Sequence, residues 1–325
     1  MFLGLAALSA VLVRVMISVG ALDIPVDRSS HAVPTPKGGG VGIVAAYAAG
    51  TIWSLRGADG WTELAAVLAL ACVSYVDDVR NWPFAVKLVA QLAAALAVMG
   101  CGHVVFGVAL PGAGVLPLGL AGVALTLGWL LFVTNAVNFI DGLNGLAAGC
   151  TLVACLLAAA ASPHLLFYPA GALAAGIVGF LPFNYPRARI FMGDVGSQVC
   201  GFLLADFSVL AAGDARASLV VPLALLPILA DVAFTLARRA LQGARLTQAH
   251  RGHLYQVAQR SGVAAARVSA LYWGFSAWGG VCGLLAGRLA AAWGAPVACG
   301  AALLPLLPWA LYVARRAKQA GITAW

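Results

Sequence analysis

The chain has 325 residues, 62% of them hydrophobic and 9% charged, with a formal net charge of +8 and a mean hydropathy of +0.96. A soluble domain carries roughly 25% charged residues, so a soluble globular protein is excluded and the chain is read as a resident of a lipid bilayer. Its positive charge is distributed as in membrane proteins, and no nucleic-acid partner is expected.

A bilayer leaves backbone polar groups no water to bond, which makes the reading all-α: a polytopic integral membrane protein with one transmembrane domain over 1–325 and about eleven helices. The spans are predicted near 1–22, 38–56, 62–76, 84–100, 117–137, 143–161, 164–183, 195–212, 217–237, 263–287 and 290–314. The first has no basic leader and holds Arg14 in its middle, so it is read as a retained helix rather than a signal peptide. Residues 101–117 alternate Val and Phe between Gly and Pro and predict a short hairpin. The seven cysteines sit in or beside apolar runs without metal-ligand spacing, and are read as small core residues in neither disulfides nor a zinc site.

All of the 19 lysines and arginines except Arg14, Arg56, Arg216 and Arg288 fall on one side of this arrangement, in or beside loops 23–37, 77–83, 138–142, 184–194, 238–262 and the C-terminal tail. The positive-inside rule makes that side cytoplasmic and the N-terminus periplasmic.

The polar clusters fall in the same loops. Thr35-Pro36-Lys37 with three glycines opens the second span, a cation and an approachable backbone where a phosphate binds well, although a plain Pro/Gly turn has the same composition. The third span ends in Tyr75-Val76-Asp77-Asp78. Neighbouring helical residues point about 100° apart, so the two carboxylates are expected to do different jobs, with Lys87 and Gln91 looking back at them from the next helix. Asn135, Asn138, Asp141 and Asn144 recur every third residue before a new helix begins at Leu146, whose first N–H groups suit an anion. Asn184, Arg187 and Arg189 precede Gly193-Asp194, where the carboxylate either caps a helix or holds a metal against a phosphate. The longest loop carries His250, Arg251 and His253. The histidine pair would ligate a metal or grip a phosphate. Asp231, Asp206 and Arg14 fall inside spans; Asp231, within two turns of the cytoplasmic end, is placed to serve the site, whereas Asp206 and Arg14 have no evident partner. His103 and His164 lie on the opposite side and are expected to take no part. Carboxylates, amide oxygens and Gly-rich helix starts together suit Mg2+, with Mn2+ as a substitute.

YVDD at 75–78, NAVNFIDGLNGLAAG at 135–149, PRARIFMGDVGS at 186–197 and HRGHLYQ at 250–256 resemble the polyprenyl-phosphate N-acetylhexosaminyl-1-phosphate transferases, the superfamily that includes the phospho-MurNAc-pentapeptide translocase. The resemblance runs from residue 34 to the histidine loop. It implies transfer of a sugar 1-phosphate from a UDP-N-acetylhexosamine to undecaprenyl phosphate with release of UMP and a requirement for Mg2+, in a bacterial inner membrane, as the initiating step of O-antigen or a related cell-envelope polysaccharide. A homodimer is compatible with it. Carried onto this chain, the resemblance makes Asp77, Asp78, Asp141, His250 and His253 the catalytic set and Asn138 and Asp194 the metal-side ligands. Lys37, Lys87, Asn135, Asn144, Asn184, Arg189 and Arg251 become substrate-binding groups. Asn144 stands where many relatives have a second aspartate, and His250-Arg251-Gly252-His253 replaces the consecutive histidines of the translocase branch, which argues against a peptide-bearing donor. The competing reading is a lipid-linked sugar transporter or flippase, which would want its ionisable groups near mid-bilayer. An inactive scaffold is disfavoured by the intact acidic residues 77, 78, 141 and 194.

Overall fold

The structure is a computed structural model and describes residues 1–25, 33–54, 57–244, 250–288 and 293–322. Arg28, Arg56 and Arg245, three of the residues used for the charge asymmetry, lie outside the described residues, as do the end of the second predicted span and the start of the last.

In chain order the elements are α1 (Phe2–Val19), β1 (Leu22–Asp23), β2 (Thr35–Pro36), α2 (Gly40–Ser54), α3 (Gly57–Arg80), α4 (Phe84–Gly100), β3 (Gly107–Leu110), β4 (Gly114–Pro117), α5 (Ala121–Ile140), α6 (Leu146–Ala161) and α7 (Phe167–Asn184). Then follow α8 (Asp194–Ala211), α9 (Val220–Ala224), α10 (Leu226–Leu241), α11 (Leu254–Arg260), α12 (Ala265–Arg288), α13 (Gly294–Leu303) and α14 (Leu306–Gln319). The protein is mostly helical, with two small antiparallel ladders. Leu22 and Asp23 pair with Pro36 and Thr35, and Gly107–Leu110 pairs with Gly114–Pro117, the hairpin that the Gly/Pro punctuation predicts.

By length and composition, α1, α5, α7, α8, α12 and the stretch Gly294–Gln319 can each cross a membrane, while α2, α4 and α6 are shorter apolar helices. Two predicted spans are not continuous. The run over 217–237 divides into α9 and α10 at Leu225, with Pro227 in the first turn of α10, and the run over 290–314 is interrupted by Pro305 between α13 and α14. A proline has no N–H to continue the ladder and its ring crowds the preceding turn, so hydropathy alone overlooked both breaks.

Helix α8 is the axis of the fold. Every residue from Val195 to Ala211 except Leu210 is buried, with α2, α3, α5, α6 and α9 against it. Without a hydrophobic force between helices in lipid, close approach depends on small residues. A Cβ on Gly40 of α2 would strike the backbone of Gly196, and one on Gly201 would meet the backbone of Thr134 in α5.

Two of the three intramembrane charges, Asp206 and Asp231, find partners. Asp206, fully buried in α8, lies 2.8 Å from Nδ1 of His103. A lone charge at a helix centre costs about 2.5–3.5 kcal/mol, which this pair offsets. It belongs to the opposite end of α8 from Asp194, so His103 takes no part in the cluster described next. Arg14 lies on the exposed side of α1. All seven cysteines are free; Cys150, Cys155, Cys200 and Cys282 are buried, but Cys72 is exposed rather than in the core.

Candidate active site

Four loops and the ends of α3, α4 and α5 converge on the first turn of α8. The α2 entry is tied to the loop before α8 by Gly39 N–H to the Phe191 carbonyl at 2.9 Å and Gly40 N–H to the Met192 carbonyl at 2.8 Å. Gly193 then turns the chain into α8 at φ +75°, a left-handed conformation that a side chain resists, and a Cβ there would press on the Asp78 carboxylate.

Asp77 and Asp78 end α3 at 5% and 7% exposure, and they bond different partners. Asp78 accepts the N–H groups of Asp194 and Val195, each at 3.1 Å. The free N–H groups at the start of α8 are therefore capped from another helix, at their positive end. Asp77 accepts the Trp82 N–H at 2.6 Å and pairs with Lys87 Nζ at 2.8 Å. Lys87 is also 2.8 Å from Asp194 Oδ2, so one ammonium lies between two carboxylates. The sequence set Lys87 looking back at both aspartates of α3; it meets Asp77 but not Asp78, and shares itself with Asp194. Asp194 caps nothing. Its Oδ1 accepts Asn138 Nδ2 at 3.0 Å, and Asn138 Nδ2 also meets Ser197 Oγ at 2.9 Å.

Asp141 ends α5 beside this cluster. Burial, then the fields of the Asp194 and Asp78 carboxylates, hold its pKa well above the ordinary carboxylate value. Lys37 adds a positive field at Asp78.

Three of the expected substrate groups bond to other parts of the protein. Asn184, 5% exposed, accepts the Gly145 N–H and donates to the Ile190 carbonyl at 2.9 Å, strapping the loop before α6 to the loop before α8. Asn135 donates to Gln91 Oε1 at 2.7 Å and to the Leu131 carbonyl at 2.8 Å, and Gln91 in turn reaches Gln198 Oε1 at 3.1 Å. These amides join α4, α5 and α8 beneath the carboxylates. An amide buried between helices must be paired, and these find protein partners. Asn144, more open, donates to the Pro186 carbonyl at 3.2 Å. Arg189 is exposed, its guanidinium 5.0 Å from the centre of the Phe183 ring.

From His250 onward the histidine loop contains a helix, α11, where the sequence predicted only loop. His250 and His253 stack with centroids 5.0 Å apart, and His253 Nδ1 lies 3.2 Å from Asp231 Oδ1. Tyr255 of α11 donates to the Phe139 carbonyl at 3.0 Å, which docks the loop on the end of α5 next to Asp141. Ser197, Gln198 and Tyr255 are the groups that sequence reasoning passed over or left without a role.

Comparison with known proteins bears on this arrangement. The chain is 37% identical over 227 residues to the decaprenyl-phosphate N-acetylglucosaminephosphotransferase of Mycobacterium tuberculosis, covering 62% of this chain and 56% of that protein. It is 36% identical over 205 residues to the phospho-N-acetylmuramoyl-pentapeptide-transferase of Pelotomaculum thermopropionicum, covering 54% of this chain and 61% of that protein. The chain thus spans little more than half the length of the mycobacterial relative. Residues 61–212 match Glycosyl transferase family 4. With the probable undecaprenyl-phosphate N-acetylglucosaminyl 1-phosphate transferase of Bacillus subtilis it shares 30% identity over 254 residues, 74% of this chain and 70% of that protein. The chain belongs to glycosyl transferase family 4.

The matched family region holds Asp77, Asp78, Lys87, Asn138, Asp141 and Asp194, while Lys37 and the histidine loop lie outside it. The loop is nonetheless distinctive electrostatically. Burial first, then His253, Arg239 and Arg238, push the pKa of His250 down to about 4. Its folded-state value lies below that of the unfolded chain, so the unfolded state takes up the proton first and stability drains away as pH falls from about 6.5 toward 4. We expect the His250 Cε1 resonance to titrate with a midpoint near 4 in the substrate-free enzyme, and the melting temperature of His250→Gln to fall less between pH 7 and pH 5 than that of the wild type. A His250 midpoint near 6.5 would show that the loop does not pack as described.

Proposed function

We propose that this family member transfers an N-acetylhexosamine 1-phosphate from a UDP-sugar to undecaprenyl phosphate, giving the lipid diphosphate sugar and UMP, as the first step of a cell-envelope polysaccharide such as O-antigen. The observation that carries the reading is the cluster at the start of α8: buried Asp77 and Asp78, with Asp194 between Lys87 and Asn138. The relatives' names, which join a polyprenyl phosphate to N-acetylglucosamine, support it. The proposal includes about eleven spans with this cluster on the cytoplasmic side, following the basic asymmetry.

The donor set suits a hard divalent cation. It offers carboxylate and amide oxygens, and a cation, the Lys87 ammonium, already sits between Asp77 and Asp194. Among the described residues no three His, Cys, Asp or Glu side chains converge on one metal position. The choice of Mg2+ rests on the oxygen donors and on the substrate phosphates with which that ion usually enters. Asp194 and Asn138 would hold it, and once bound it would neutralise charge on the donor diphosphate.

The side chains present argue for direct displacement. Both Asp77 oxygens are occupied, one by Trp82 N–H and one by Lys87, which ill suits a covalent nucleophile. A general base has little to remove, because a phosphate monoester has its second pKa near 6 and is mostly dianionic at pH 7. Asp77 and Lys87 would instead orient the acceptor phosphate, and Asp78 would hold the start of α8 rigid beneath the reacting groups.

The test is to incubate the purified protein with undecaprenyl phosphate and a panel of UDP-sugars, following UMP and the lipid product. UMP should appear with an N-acetylhexosamine donor and stop on adding EDTA, returning with Mg2+. Undiminished turnover in EDTA would remove the metal from the account, and no transfer with any donor would remove the function.

A further inference from the structure

The carboxylate of Asp231 is 1% exposed and is not part of the cluster at α8, yet it is the most heavily bonded acid among the described residues. Its Oδ1 takes the Leu254 N–H at 2.9 Å, the Thr235 hydroxyl at 3.3 Å and His253 Nδ1 at 3.2 Å. Its Oδ2 takes the Tyr255 N–H at 3.1 Å and the Tyr272 hydroxyl at 2.5 Å. With five donors on two oxygens, the carboxylate has only acceptor roles to play. The ring nitrogen facing it must therefore carry the proton. In the neutral ring, donation to this carboxylate puts the His253 hydrogen on Nδ1 and leaves Nε2 as an acceptor.

The neighbouring ring is fixed the other way. His250 Nδ1 accepts the Gly252 N–H at 3.2 Å, so in the neutral ring the proton sits on Nε2. Two stacked imidazoles thus offer one donor and one acceptor side by side. A phosphate presents acceptors only and would want two donors. A sugar hydroxyl or an acetamido group offers a donor as well as an acceptor, and matches the pair.

We propose that Asp231 is a positioning residue for the transfer reaction: it holds His253 in the Nδ1–H tautomer, so that the histidine pair reads the hydroxyl or acetamido groups of the donor sugar rather than its phosphates. This rests on the reading of the chain as a sugar-1-phosphate transferase. Losing an outer partner that orients a functional histidine typically costs about 10–100-fold. Asp231→Asn puts an N–H group where one carboxylate oxygen accepts, so it cannot hold all five donors.

Three readouts test it. In wild-type enzyme with 15N-labelled histidine, in lipid nanodiscs, the His253 ring, assigned by its loss in His253→Gln, should show one tautomer with hydrogen on Nδ1. Hydrogen on Nε2, or a mixture, overturns the proposal, and this measurement needs no variant at Asp231 to fold. In turnover, Asp231→Asn should lower kcat/KM for the UDP-sugar about 10–100-fold while the Kd for UDP, which lacks the donor hexosamine, stays unchanged. In a His253→Gln background the same substitution should cost almost nothing further, because its effect runs through the ring. A loss that multiplies with that of His253→Gln, or an equal loss of UDP affinity, would mark Asp231 as merely structural and overturn the proposal. The two readings fail separately: an enzyme that makes no lipid product sinks the transferase reading, whereas an active enzyme with the wrong tautomer sinks only the role of Asp231.

Discussion

Asp194→Ala is expected to lower turnover by at least roughly 10³-fold, the scale on which a central electrostatic group in a reacting site is felt. Asp194 meets Lys87 at 2.8 Å, Asn138 at 3.0 Å and Gln198 at 3.4 Å, so it links α4 and α5 to the first turn of α8. Alanine removes the anion shared by Lys87 and the proposed metal position. The ammonium is left to Asp77 alone, and Asn138 keeps only Ser197. The loss should not come from unfolding, because the N–H groups at the start of α8 are capped by Asp78 and not by Asp194. The melting temperature in detergent should therefore change little, and donor binding should lose its dependence on Mg2+, since a hard ion loses its anionic ligand. An Asp194→Ala enzyme with full activity, or one whose nucleotide affinity still rises with Mg2+, would show that the metal and the reaction lie elsewhere.

Much of this site was legible in the sequence because its residues lie in short, unusual stretches between apolar runs. The adjacent Asp77 and Asp78 needed only helical geometry to be given separate roles, and the structure gives them separate partners, Lys87 for one and the α8 backbone for the other. Gly193-Asp194 read as a helix start, and it is one. What sequence order hides is which distant residues spend one another's hydrogen bonds. The resemblance made Asn135 and Asn184 substrate-binding groups, but sequence order could not show their protein partners, Gln91 and the Gly145 and Ile190 backbone. Asp231 lies 22 residues from His253, and only the return of the loop onto α10 brings them together. The same holds for His103 and Asp206, separated by 103 positions. The breaks at Pro227 and Pro305 were written in the sequence, but a hydropathy window averages over a proline that the backbone cannot ignore.

The order of events at the diphosphate tests the account most directly. If Asp77 is held by Lys87 and Trp82 and only orients the acceptor, no bond to the donor breaks until undecaprenyl phosphate arrives. A covalent route would instead cleave the donor first, leaving the sugar phosphate on a carboxylate and UMP in solution. The effect is all or none. Wild-type enzyme at a concentration comparable to the UDP-sugar, delipidated so that no polyprenyl phosphate remains, should release no UMP in a rapid-quench experiment, and should release it at the full rate once undecaprenyl phosphate is added. A burst of UMP equal to the enzyme present, in the absence of any lipid acceptor, would contradict direct displacement.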